Sequence, residues 1–110
     1  MTLDDYQTQA KTTDLSHPDP LMGTTISALG LAGEAGEVAD KWKKILAYKD
    51  GKLTKEDLEE IAKELGDVLW YLAVFTDNLG LKLDDIAAGN LKKLADRHRR
   101  GTLKGEGDNR

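Results

Sequence analysis

Apolar residues recur along this chain at steps of three and four with polar residues between them, the signature of helices that each bury one face. Thr2 can cap a first helix whose third residue is Asp5, running from Leu3 to about Lys11. The segment Asp14-Leu15-Ser16-His17-Pro18-Asp19-Pro20 stops it, because each proline pushes the residue before it out of the helical region. A second helix is expected from about Leu21 to Ala47, with Leu31, Val38, Trp42, Ile45 and Leu46 on its apolar face. Asp50-Gly51 marks a turn. Thr54, with Asp57 three residues on, opens a third helix whose stripe is Leu58, Ile61, Leu65, Leu69, Leu72 and Phe75, closed by Asn78 and Gly80. A last helix from about Asp84 to Arg99 carries Ile86, Ala87, Leu91 and Leu94, and residues 101–110 read as a loose, flexible C-terminal tail. No strand pattern interrupts this order.

The expected fold is therefore all-α: an antiparallel four-helix bundle in one domain over residues 1–100, followed by the tail 101–110. A chain of 110 residues is long enough for one core and too short for two. So small a core leaves apolar helix faces partly covered, which predicts self-association, with a homodimer as the minimum.

Two acidic pairs change the picture from structure to chemistry. The second helix holds Glu34 and Glu37, and the third holds Glu64 and Asp67, each pair at i and i+3. That spacing sets two carboxylates about 60 degrees apart on one face, where they repel unless something positive lies between them. Both pairs border the apolar stripe rather than the outer surface. An antiparallel hairpin centred between Asp50 and Gly51 sets Glu37 level with Glu64 and Glu34 level with Asp67. Four half-buried carboxylates brought together cost several kcal/mol per group, on the order of a buried unpaired charge, unless a cation neutralises them. Oxygen-only ligands suit a hard ion, Mg²⁺ first and Mn²⁺ as its substitute. Gly30, Gly33, Gly36 and Gly66 stand around these acids at a cost of roughly 1 kcal/mol each relative to alanine. Either a tightly packed helix or a ligand approaching the backbone offsets that cost.

Charge and composition restrict the partners. The chain carries a net charge of −4 and no cysteine. Residues 91–110 hold seven Lys and Arg against three acidic residues, so the body before them is strongly acidic. Such a body suits no nucleic-acid polymer, which needs many neutralised phosphates, while the basic end can hold one small phosphorylated molecule or merely form a solvated helix terminus. Lys93 and Arg97, four apart on one helix face, suit triphosphate oxygens. Lys41, one turn past Glu37, either joins them or forms a local salt bridge. Trp42, Trp70 and Tyr71 are read chiefly as core or interface aromatics that can also offer stacking surfaces, and His17 and His98 as exposed residues without a metal-ligating partner. An acidic N-terminus, the absence of cysteine, and a longest uncharged stretch of 14 residues, Pro20 to Gly33, predict a cytoplasmic protein with no membrane span.

The motif Glu34-x-x-Glu37 within Gly30-Leu31-Ala32-Gly33-Glu34-Ala35-Gly36-Glu37-Val38, followed by Glu64-x-x-Asp67 within Glu64-Leu65-Gly66-Asp67-Val68-Leu69-Trp70-Tyr71-Leu72, resembles the all-α nucleoside triphosphate pyrophosphohydrolases of the MazG type. The resemblance covers about Met22 to Arg97. It implies an Mg²⁺-dependent hydrolase that converts a (deoxy)nucleoside triphosphate to the monophosphate and pyrophosphate, often to clear noncanonical nucleotides, as a dimer or tetramer. It also implies Glu34, Glu37, Glu64 and Asp67 as metal ligands, and Asn90 and Lys93, within Asn90-Leu91-Lys92-Lys93, as part of an Asn-x-x-Lys element that helps hold the nucleotide. Ions bridging phosphate oxygens neutralise charge and acidify a bound water, and Glu34 or Glu37 would orient or deprotonate that water. Two rivals stay open at this stage. One is a noncatalytic helical interaction module with a structural metal site, and the other is a narrower dUTP or dCTP diphosphatase.

Overall fold

A computed structural model describes residues 1–15 and 17–110; Ser16, within the expected helix-breaking segment, lies outside the described residues. The chain is all-helical. Its elements are α1 (Leu3–Lys11), α2 (Pro20–Lys49), α3 (Lys55–Asn78) and α4 (Leu83–Arg100), with no strand among the described residues.

Local chemistry sets most of the ends. Thr2 Oγ1 accepts from the Asp5 amide at 3.0 Å while Asp5 accepts from the Thr2 amide at 2.9 Å, a reciprocal capping box. Thr54 and Asp57 repeat it on α3 at 3.0 and 3.1 Å. Helix α2 starts one residue before the expected Leu21. Asp19 caps it through the Leu21 amide at 3.0 Å, and Pro20 takes the first helical position, where a missing N–H costs nothing. The helix runs on to Lys49 and ends where Asp50 and Gly51 both turn left-handed, at φ 52 and 76°.

Helix α4 starts at Leu83 with no side-chain cap from its own N-terminal flank. Its caps come from α1: Gln7 Oε1 accepts from the Leu83 amide at 2.8 Å, and Asp4 Oδ1 accepts from the Asp84 amide at 3.0 Å. Gln7 Nε2 also donates to the Leu81 carbonyl at 2.8 Å, so this buried amide ties the first helix to the start of the last.

The main packing unit is the α2–α3 hairpin. Ser27 Oγ accepts from Asn78 Nδ2 at 3.0 Å near its far end, and Lys49 Nζ reaches Asp57 at 2.7 Å beside the turn. The Tyr71 ring lies directly against the α2 backbone at Gly30, in the space a Cβ would need. Helix α1 packs across α3, and α4 packs on α1. Ala10, Ala73 and Leu83 form a buried cluster where α1, α3 and α4 meet, with Tyr6, Trp70 and Leu72 against it.

Single-chain packing leaves much apolar surface open. The radius of gyration is 16.9 Å, against about 13 Å for a compact domain of this length. On α3, Leu58 is 55% and Leu65 52% exposed, and Leu46 on α2 is 60% exposed. The tail folds back toward α4: Arg110 donates to the carbonyls of Thr102, Leu103 and Gly107, and Arg97 Nη2 donates to the Asp108 carbonyl at 2.6 Å.

Candidate metal centre

The hairpin brings Glu34 of α2 together with Glu64 and Asp67 of α3. One carboxylate oxygen from each lies within 4.8 Å of the others. Glu34 and Glu64 are partly buried and Asp67 is exposed. The arrangement follows from the register: equal distances from the Asp50-Gly51 turn put the acidic turns of the two helices side by side. Three carboxylates at this separation are a hard-oxygen donor set.

Electrostatics single out Glu34. Burial comes first, then the negative charges of Asp67, Glu64 and Glu37 and a hydrogen bond with Glu64, and together they raise the Glu34 pKa above the ordinary glutamate value. Such a carboxyl gains from any cation placed among its neighbours. Lys41 sets a positive charge beside the group, with Nζ 3.5 Å from Glu64 and 3.9 Å from Glu60. Both partners lie across the hairpin on α3, whereas the local salt bridge expected for Lys41 is with Glu37, one turn away on its own helix.

Glu37 is exposed and stands outside the group formed by Glu34, Glu64 and Asp67; it acts on Glu34 by charge. Three of the four expected ligands are thus brought together. The expected nucleotide-holding residues on α4 are placed differently again. Asn90 is exposed. Lys93 pairs with Asp108 at 3.1 Å, and Arg97, only 4% exposed, is held by the same tail residue. None of the ion pairs of Lys93 or Arg97 among the described residues involves the three carboxylates. The helical spacing put these two cations on one face correctly, but it carried no information on what that face meets.

A cleft of about 490 Å³ opens between the α1–α2 connection and the α2–α3 hairpin, lined among others by Lys11, Ser27, Trp70, Tyr71, Val74 and Asn78. Trp70 and Tyr71 meet edge to face at 4.9 Å, and Trp70 Nε1 donates to Thr13 Oγ1 at 2.8 Å. Tyr71 is one helical turn beyond Asp67, so the cleft and the carboxylates adjoin along α3. Asn78 accepts from Lys11 at 3.0 Å and donates to Ser27, which fixes its amide at the cleft wall. Sequence reasoning missed Lys11, Ser27 and Asn78. Only the hairpin register, extended past the acids, pairs Ser27 with the end of α3.

The glycines divide. Tyr71 accounts for Gly30, whereas a Cβ at Gly33, Gly36 or Gly66 would meet nothing within 4 Å. Their backbone is open to an approaching molecule.

Residues 24–102 match the family described as the MazG nucleotide pyrophosphohydrolase domain. The whole chain is similar to the gene 37 protein of Mycobacterium phage L5, at 43% identity over 115 residues with both chains covered completely. No solved structure matches. With most of its length matched, including both acidic pairs and three of its four helices, the chain belongs to the MazG nucleotide pyrophosphohydrolase family.

Proposed function

We propose that this protein hydrolyses (deoxy)nucleoside triphosphates to the monophosphate and pyrophosphate in the presence of Mg²⁺, with Mn²⁺ able to replace it, and that it clears noncanonical nucleotides in the cytoplasm. The observation that carries the reading is the convergence of Glu34, Glu64 and Asp67 on one hairpin in a family of nucleotide pyrophosphohydrolases. These three residues would hold the ion through carboxylate oxygens. When bound, the ion supplies charge neutralisation at the phosphates and acidifies water.

The chain's own groups do the rest. Glu37, one turn along α2 and free of the trio, would orient the attacking water and take its proton at a carboxylate oxygen. Lys41 would shift from Glu64 toward a phosphate oxygen once the carboxylates are neutralised. The cleft beside Asp67 is of nucleoside size, with Trp70 and Tyr71 as its aromatic wall and Asn78 and Ser27 as its polar one. Asn90 would contact the triphosphate, and Lys93 and Arg97 would do so after release from Asp108.

Self-association belongs to the same reading. The accessible surface is 8043 Å² for a 12.1 kDa chain, where a compact monomer exposes about 6000 Å². The excess is of the size a stable homodimer buries. Incubation with Mg²⁺ and a panel of canonical and modified nucleoside triphosphates, with both products identified by chromatography, tests the activity. Equal release of monophosphate and pyrophosphate is expected, and orthophosphate release or no turnover across the panel would overturn the reading.

A further inference from the structure

Arg97 is buried to 4% exposure, yet its guanidinium is only partly satisfied. Arg97 Nε and Thr102 Oγ1 are the buried side-chain polar atoms without a partner among the described residues. Both stand where α4 gives way to the tail, with the Thr102 amide donating to the Arg97 carbonyl at 2.8 Å. Buried polar groups are ordinarily paired, so an open donor on a buried guanidinium points to a ligand that its present neighbours replace only in part.

The neighbour in question is Asp108. Gly101 and Gly107, at φ 73 and 81°, turn the chain back along α4 and bring Asp108 over Lys93 and Arg97, one helical turn apart. Lys93 Nζ meets Asp108 Oδ1 at 3.1 Å. Arg97 Nη2 donates to the Asp108 carbonyl at 2.6 Å and to the same Oδ1 at 3.4 Å. Nε and Nη2 share one edge of a guanidinium, a fork whose two N–H groups match two oxygens of a single phosphate or carboxylate group. Asp108 serves the Nη2 prong and leaves the Nε prong open. Its side chain is 83% exposed, and ion pairs in that setting hold weakly. A phosphate group in its place offers an oxygen to each prong and a third to Lys93.

We propose that Lys93 and Arg97 form a phosphate-binding notch guarded by the tail, in which the Asp108 carboxylate stands in for a phosphate group and leaves when pyrophosphate or the terminal phosphates of a nucleoside triphosphate enter. The inference rests on the reading in which Lys93 and Arg97 contact the triphosphate, and it gives that contact a competitor within the chain.

The test is Asp108→Ala in the full chain, which removes the carboxylate and keeps the carbonyl to which Arg97 donates. Pyrophosphate is titrated by calorimetry with a chelator present, so that the metal centre takes no part. Asp96→Ala is the control, because it removes an equal charge from α4, where Asp96 pairs with Arg99 and Arg100. We expect pyrophosphate to bind Asp108→Ala about 5-fold more tightly than the wild type, Asp96→Ala to show no such gain, and Lys93→Gln added to Asp108→Ala to abolish it. Equal affinity in the wild type and Asp108→Ala overturns the proposal, as does an equal gain in Asp96→Ala or the absence of binding in every form. A parallel titration with a nucleoside triphosphate separates the two sources: a gain for pyrophosphate alone makes the notch a product site, and a gain for both a site for the substrate's terminal phosphates. A gain without nucleotide turnover once Mg²⁺ is restored upholds the notch and removes the hydrolase reading. Turnover without a gain removes the notch alone.

Discussion

At Glu34, burial and three neighbouring negative charges all oppose ionisation. The consequence for stability has a definite sign. Below the ordinary glutamate value of 4.5 both folded and unfolded chains hold the proton, and Glu34 contributes no pH dependence. As pH rises through the interval between that value and the raised one, the unfolded chain releases its proton first and the folded state loses stability. Above the interval the loss is complete. Metal-free Glu34→Gln is therefore expected to melt above the wild type at neutral pH and level with it in acid, as thermal denaturation across pH would reveal. Added Mg²⁺ should raise the melting temperature of the wild type far more than that of the variant. At Asp67 the expectation concerns activity: Asp67→Asn removes a charged ligand from an exposed position and should lower pyrophosphate release by about 100-fold or more while circular dichroism stays helical. Near-wild-type rates in that variant would remove Asp67 from the site.

Helices and their junctions show which sequence signals survive folding. The capping boxes at Thr2 and Thr54 were legible because donor and acceptor lie three residues apart. The meeting of Glu34 with Glu64 and Asp67 was legible because one tight turn fixes the register of two long helices. The start of α4 was not, since Gln7 and Leu83 are distant in sequence and no periodicity links them. Nor could the placement of Lys93 and Arg97 be read, because helical spacing orders residues around one axis and says nothing of where that axis lies. The glycines yield a test at this scale. Gly30→Ala drives a methyl into the Tyr71 ring and should destabilise the hairpin by about 1–3 kcal/mol in urea denaturation. Gly66→Ala meets nothing within the chain and should leave the monomer as stable or up to about 1 kcal/mol more so.

For the molecule as a whole, the open arrangement is the main fact. Leu58, Leu65 and Leu46 stay in solvent in the single chain, and no helix among the described residues is long and apolar enough to cross a membrane. Sedimentation equilibrium is expected to give at least twice the 12.1 kDa chain mass. Leu65→Lys should shift that mass to the monomer, and a monomeric wild type would show the exposed leucines to be simply solvated. Gln7 and Asp4 carry a further implication at this scale. They hold the first turn of α4 from the first helix, so the N-terminal segment clasps the start of the last helix. Shortening the polypeptide to the stretch 24–102 would spare Glu34, Glu64 and Asp67 yet unfasten its last helix, leaving Asn90, Lys93 and Arg97 on an arm free to swing.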